Sequence, residues 1–147
     1  MPADLWNFAL ACYARPGVEQ VFLRLQDGGA DVCLLLCALW LEHRQVPCEA
    51  QRLAQLRAIA EPWQRQVVQP LRELRQGWKA AALLDPQQAR LREQVKALEL
   101  EAERELLGRL EQLAQKWQAT DEAVAWLETL LEDRDARELL RVAATQT

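Results

Sequence analysis

The sequence predicts an all-α protein, and three observations predict it. Leucine, arginine and glutamate, which are all good helix formers, account for 27, 15 and 15 of the 147 residues. Apolar residues recur at the three- and four-residue spacing of a helix along most of the chain. No segment alternates polar and apolar residues over a useful length, so we expect no sheet. The length predicts a single domain over residues 1–147.

A compact helical cluster is predicted for residues 1–60, and its first two helices have clear boundaries. Asp4 is a candidate N-cap for the first helix, and the pair Pro16-Gly17 ends it. A second short helix follows and closes at Gly28-Gly29, because glycine is the common residue just after a helix.

The third helix of the cluster is the most apolar part of the chain. Asp31 can cap it, the ten residues Val32–Leu41 are all apolar, and it ends near His43. A helix that crosses a membrane needs about 20 apolar residues, so this run predicts a helix that is buried on all sides. A fourth helix is expected from Pro47 to about Ala60.

A long antiparallel helical pair is predicted for residues 61–118. Pro62 can open its first helix, because the missing N–H of proline does no harm there, and Pro70 should kink or split that helix. Asp85 and Pro86 indicate the cap and first residue of a long helix that ends near Gln118. Its predicted apolar stripe consists of Leu91, Val95, Leu98, Ala102, Leu106, Leu110, Leu113 and Trp117.

A short helical extension is predicted for residues 119–147. Thr120 with Asp121 indicates the start of one helix, which includes Trp126 and Leu131. A last short helix follows Asp133.

Three sequence blocks carry a resemblance to a known family. They read LWNFALACYARPGVE…ADVCLLLCALWL, PWQRQVVQPLR and VKALELEAE, and together they fall within about residues 3 to 115. With this order and spacing the chain resembles a family of short, uncharacterised proteobacterial all-helical proteins, a domain of unknown function. Cys33 stands where that family usually has asparagine. The resemblance implies a stand-alone, cytoplasmic helical protein, and it carries no activity or catalytic residue.

The four cysteines leave two interpretations open. Cys33 and Cys37 lie four residues apart on one helical face, with His43 and Cys48 downstream, and such side chains can share a metal. Both lie in the apolar run, however, which favours buried structural cysteines, and we predict no metal or cofactor site. The alternative is a small-ligand or metal sensor with a pocket near Cys33, Cys37 and Trp40. Free cysteines without a secretory signal predict a cytoplasmic protein without a membrane anchor.

Composition argues against an enzyme. The chain has no serine, one histidine and one asparagine, whereas nucleophilic and acid–base sites usually draw on these residues. We therefore predict no catalytic residues. Tyr13, His43 and scattered carboxylates are the candidates for an enzyme of unfamiliar type.

The distribution of charge points to interaction surfaces. Residues 51–92 hold eight basic and three acidic side chains, whereas residues 93–138 hold six and thirteen. The candidate partner-binding residues are Arg65, Arg72, Arg75, Lys79, Glu99, Glu101, Glu103 and Glu105. The basic helix can instead fold back along the acidic one. Nucleic acid is a weaker alternative for the basic face of residues 65–79, because the whole chain carries a net charge of −4.

These observations predict a non-enzymatic cytoplasmic protein that acts in protein–protein interaction, or as an adaptor, with an unknown protein partner. The apolar stripe of the long helix needs cover, and a second copy of the chain is one source of it. A homodimer through the long helix is therefore also predicted.

Overall fold

The structure is a computed structural model that describes residues 4–122 and 124–146. Its helices are α1 (Leu5–Tyr13), α2 (Val18–Asp27), α3 (Val32–His43), α4 (Ala50–Trp63), α5 (Gln69–Gly77), α6 (Lys79–Ala82), α7 (Pro86–Ala114), α8 (Leu127–Leu130) and α9 (Arg134–Thr145). A π-helical segment, Gln64–Val68, joins α4 to α5. No strand occurs within these described ranges, which confirms the all-α prediction.

Helix α3 lies at the centre of the fold. All ten residues of Val32–Leu41 are buried, and the most exposed of them, Leu34, has only 6 % of its surface accessible to solvent. Helices α1, α2, α4, α7, α8 and α9 all contact α3. The prediction of a helix buried on every side is therefore confirmed. In the part of the chain that the structure describes, no helix is long and apolar enough to span a bilayer.

Four aspartates begin helices, as the sequence predicts. The carboxylate of each accepts a hydrogen bond from a backbone N–H of the first turn, which has no partner within the helix. They are Asp4 before α1, Asp31 before α3, Asp85 before α7 and Asp133 before α9. Gly17 precedes α2 with a φ of 84°, a left-handed conformation that favours glycine, so the predicted break there is confirmed as well.

The predicted start of a new helix at Pro62 is wrong. Pro62 lies inside α4, and the helical path continues through the π-helical segment into α5. In that segment the N–H of Gln69 donates to the carbonyl of Gln64, five residues earlier. Pro70 follows directly, and a proline inside a regular helix would clash with the carbonyl four residues before it. The predicted disturbance at Pro70 therefore takes the form of a wider turn, placed before the proline.

The helix predicted to start at Thr120 is also wrong, and α7 ends at Ala114 rather than near Gln118. Of the described residues from 115 to 133, only Leu127–Leu130 are helical. The N–H of Thr120 donates instead to the carbonyl of Gln45, at 2.7 Å, in the loop after α3. The backbone of Thr120 thus forms a hydrogen bond to a distant loop instead of one within a helix. A local sequence pattern cannot predict such a long-range contact.

Trp126 anchors the C-terminal residues to the N-terminal cluster. Its indole is fully buried, and Nε1 donates to the carbonyl of Val46 at 2.7 Å. Glu42 of α3 accepts the N–H of Leu127 and pairs with Arg141 of α9, both at 2.8 Å. Helix α9 packs on α1, α2 and α3. The extension therefore covers the N-terminal cluster, a direction that the sequence left open.

Helices α5 and α6 pack along α7 and form a hairpin with it. Trp63 Nε1 donates to the Ala102 carbonyl, and Arg92 Nε donates to the Arg75 carbonyl, both at 2.8 Å, so the contacts run in opposite order along the two chains. Of the described residues in α5 and α6, none is buried. With 29 residues, α7 is about 44 Å long, whereas the expected radius of gyration is about 15 Å. Residues 69–100 are called the distal hairpin below.

Replacing Trp126 by phenylalanine tests the anchor. Phenylalanine keeps most of the packing but removes the N–H, so the Val46 carbonyl loses its buried partner, and we expect the free energy of unfolding to fall by about 1–3 kcal/mol. Trp78→Phe is the matched control, because its indole makes no hydrogen bond to the residues that the structure describes. Its effect should stay below about 0.5 kcal/mol. Urea denaturation measures both variants, and equal losses would contradict the anchor.

Candidate functional site

Three charged side chains join α5 to α7. Arg72 Nε lies 3.1 Å from Glu99 Oε2, and Arg75 Nε lies 2.5 Å from Glu99 Oε1. The Glu99 side chain is only 8 % exposed, against 14 % for Arg72 and 23 % for Arg75. The basic helix thus folds back along the acidic one, as one interpretation of the charge distribution allowed.

The other candidate partner-binding residues lie outside this cluster. Those that are exposed are Arg65, Lys79, Glu101 and Glu105. Glu105 pairs along α7 with Arg109 at 3.2 Å. Arg72 and Arg75 form ion pairs within the molecule. Of the four basic residues considered for binding nucleic acid, only Arg65 and Lys79 are therefore exposed. A partner-binding role for the exposed residues stays a prediction.

A pocket of about 330 Å³ opens at the N-terminus of α3. Asp31 before α3, Gln64 of the π-helical segment and Glu103 of α7 line it, together with Cys33 and Arg72. Gln64 is 8 % exposed and donates from Nε2 to Asp31 Oδ1 at 2.9 Å. The sequence predicts Asp31 only as a helix cap and does not predict Gln64, because no local pattern indicates that a π-helical turn directs this glutamine inward.

Burial changes the acidity of two carboxyl groups in this pocket. It raises the pKa of Glu103 to about 7, the neighbouring Glu99 adds to the rise, and the two arginines of α5 oppose it. Burial also raises the pKa of Asp31, although hydrogen bonds to its carboxylate oppose that rise. The pKa of Glu103 therefore lies close to neutral pH.

Cys33 and Cys37 are buried residues of the core. Burial raises the pKa of both thiols, which makes them poor thiolate ligands or nucleophiles. Cys33 also lines the pocket, whereas Cys37 and Trp40 do not. Among the described residues, no three histidine, cysteine, aspartate or glutamate side chains are grouped so that they could hold a metal ion.

Tyr13 and His43, the candidates for an enzyme, do not line the pocket. The ring of Tyr13 lies against Phe22, with centroids 5.1 Å apart, and burial together with Glu103 raises its pKa. The ring of His43 lies 6.0 Å from that of Phe8. Neither arrangement supplies a nucleophile with an oriented base.

A row of exposed leucines runs along the distal hairpin. Leu83 and Leu84, at its tip, are 84 % and 90 % exposed. Leu91 and Leu98 of α7 are 46 % and 50 % exposed, and Leu74 of α5 is 41 % exposed. Leu83 and Leu84 are not among the predicted partner-binding residues, although a pair of leucines in a turn between two helices is itself a sequence signal of an exposed apolar site.

The predicted apolar stripe of α7 is therefore only partly right. Leu91 and Leu98 are exposed, because α5 and α6 cover α7 along a neighbouring line that includes Val95 and Glu99. The buried residues of α7 are Val95, Glu99, Ala102, Leu106, Leu107, Leu110 and Ala114.

A family model matches most of the chain. It is described as Protein of unknown function (DUF2390), and it matches residues 4–110. The chain belongs to this family. The DUF2390 match includes the pocket residues Asp31, Gln64 and Glu103 and the whole distal hairpin, whereas α8 and α9 lie beyond it. Comparisons with curated proteins and with solved structures gave no match.

Neutralising Glu99 tests the charged cluster. Glu99→Gln leaves two largely buried arginines without their carboxylate, so we expect the free energy of unfolding to fall by about 3 kcal/mol. Glu101→Gln, on an exposed part of the same helix, is the control and should change it by less than about 0.5 kcal/mol. Urea denaturation at neutral pH measures both, and a control-like result for Glu99→Gln would contradict the role of the cluster.

Stability should also depend on the ionisation of Glu103. Its pKa is about 7 in the folded chain against a usual 4.5, so between these values the folded chain binds more protons than the unfolded chain. The free energy of unfolding therefore decreases as the pH rises through this window.

Chemical denaturation at about pH 5 and about pH 8 measures this dependence. Glu103→Gln should reduce the slope, whereas Glu105→Gln, at an exposed position on the same helix, should leave it unchanged. If Glu103→Gln kept the wild-type change of unfolding free energy with pH, Glu103 would not be the group responsible for it.

Proposed function

We propose that this member of DUF2390 is a non-enzymatic interaction protein of the adaptor kind, whose distal hairpin binds a second copy of the chain. The observation that carries the proposal is the row of exposed leucines, above all Leu83 and Leu84, which are 84 % and 90 % exposed. Contiguous apolar patches on a protein surface are typical of protein–protein contacts. The packing of the hairpin supports the same interpretation, because α5 and α6 contact α7 while none of their described residues is buried.

The spacing of the leucines favours a helical partner. Leu91 and Leu98 are seven residues apart in α7 and so share one face of it, and Leu84 lies in the turn just before that helix. A seven-residue apolar repeat is typical of the seam between long helices that pack side by side. Two hairpins joined in this way would form a four-helix arrangement, in which each row of leucines covers the other.

The charge of the distal hairpin favours a second copy as that partner. Residues 69–100 contain six basic and four acidic side chains, and Glu99 pairs with two of the basic ones. The remaining charge is small and mixed in sign, so two such surfaces repel each other little. In a two-fold dimer the same patch meets itself, which an apolar row with few charges permits.

Sedimentation velocity across a concentration series up to about 100 μM tests the proposal. We expect a dimer, and we expect Leu84→Glu combined with Leu91→Glu to weaken it about tenfold or more, because two charges would enter the apolar seam. Leu23→Glu is the matched control, since Leu23 is 53 % exposed on α2, outside the distal hairpin. A monomer at every concentration, or an equal loss in the control, would contradict the proposal.

A further inference from the structure

A groove of about 700 Å³ lies between α4 and the end of α7. Its apolar lining consists of the half-buried side chains of Ile59, Pro62, Trp63 and Leu113. The exposed residues Arg109 and Lys116 also line it, and none of the described residues that line it is acidic. The guanidinium of Arg109 lies over the Trp63 ring, 4.0 Å from its centroid. This surface, called the α4–α7 groove below, is therefore apolar at its centre and basic at its edge.

The α4–α7 groove borders the same face of α7 as the exposed leucines. Leu98 follows Leu91 by seven residues and Arg109 follows Leu98 by eleven, and each spacing returns to within about 20° of the same direction around a helix. Helix α7 begins at Pro86, twelve residues before Leu98, and Gln112 of the groove lies fourteen residues after Leu98. At 1.5 Å per residue, the tip of the hairpin and the groove are each about 20 Å from Leu98, in opposite directions.

We infer that Leu83 and Leu84 of one chain occupy the α4–α7 groove of a second copy, and that the two α7 helices run antiparallel with a two-fold axis beside Leu98. This inference rests on the proposed dimer and adds its orientation and its main contact. Because the tip and the groove are equally far from Leu98, one axis there brings each tip to the groove of the other chain. The 84 % and 90 % exposed leucines and the apolar lining of the groove then cover each other.

The charges of the tip and of the groove are complementary. Asp85 follows the two leucines directly and is exposed, while its Oδ1 accepts the N–H of Gln87 at 3.0 Å as the cap of α7. The groove presents Arg109 and Lys116 to it. Arg109 pairs with Glu105 at 3.2 Å, but an exposed pair within one helix is weak and leaves the arginine available for a second carboxylate. An apolar tip with one acidic residue therefore fits an apolar groove with two basic ones.

The charges along α7 favour this register over the other symmetric ones. Arg90 and Glu105 lie on the same side of the line through Leu91 and Leu98, eight residues before and seven residues after Leu98. With the axis beside Leu98, Arg90 of one chain lies opposite Glu105 of the other. With the axis beside Leu91 the two Arg90 side chains would lie opposite each other, and in a parallel dimer every charge would face its own copy. Like charges that face each other across an interface disfavour both alternatives.

Cross-linking of full-length chains with a short bismaleimide tests the register. Cys48, which is half-buried, is first changed to alanine, and the other three cysteines are buried. A mixture of Gln87→Cys and Gln112→Cys chains should then give a cross-linked dimer, because these exposed positions lie nearly opposite each other when the axis is beside Leu98. Cross-linking of Gln87→Cys chains alone would show a parallel dimer, and cross-linking of Gln87→Cys with Gln94→Cys would show an axis beside Leu91. Either of these results would overturn the inference.

Charge variants connect the dimer to the contact between tip and groove. Asp85→Asn keeps a capping side chain but removes the charge, and Lys116→Glu reverses a charge of the groove. We expect each to raise the Kd of the dimer about threefold or more, because the contact occurs twice in a two-fold dimer. Arg57→Glu is the matched control, exposed on α4 but outside the groove, and should leave the Kd unchanged.

Sedimentation velocity measures these dissociation constants and separates the two proposals. A wild-type Kd in both Asp85→Asn and Lys116→Glu would overturn the contact between tip and groove. A dimer that forms no cross-link between positions 87 and 112 would overturn the register and leave the proposed dimer standing. A monomer at every concentration would contradict the dimer itself, and the register with it.

Discussion

The burial of α3 on every side is the constraint on which the rest of the structure depends. Ten consecutive apolar residues leave this helix without a face that water can cover, so other helices must surround it. Helices α1, α2, α4 and α7 cover part of it, and α8 and α9, tied down by Trp126, cover the rest. The same constraint makes Asp31 half-buried, because the cap of a buried helix lies beside the core. The pocket opens where that cap meets α7 and the π-helical segment.

The distal hairpin is held together differently, by charge. Of the described residues of α5 and α6 none is buried, and Glu99 with its two arginines provides the specific contact to α7. A buried ion pair seldom stabilises a protein more than well-packed apolar residues of similar volume would. It does, however, constrain the geometry of the groups that it joins. The helices therefore keep a defined register, while Leu74, Leu91 and Leu98 remain exposed on the surface.

The sequence predicts those parts of the fold that depend on neighbouring residues. The four aspartate caps, the break at Gly17 and the buried run Val32–Leu41 follow from local chemistry, and the structure confirms them. The errors lie where distant contacts decide. The non-helical path after Ala114 depends on bonds to Gln45 and Val46, more than 70 residues earlier in the chain. The sequence does not predict the pocket for the same reason, because Asp31, Gln64 and Glu103 come from three separate elements.

Arg72 connects the hairpin to the pocket, and its position explains the chemistry of both. Glu99 is shared between two arginines, so one positive charge is not neutralised there, and Asp31 and Glu103 lie within its field. That charge opposes the effect of burial on the pKa of Glu103, which is raised to about 7. Glu103 lies five residues beyond Leu98, about 140° around α7. Glu103 in the pocket and Leu98 in the row of leucines therefore lie on different faces of one helix.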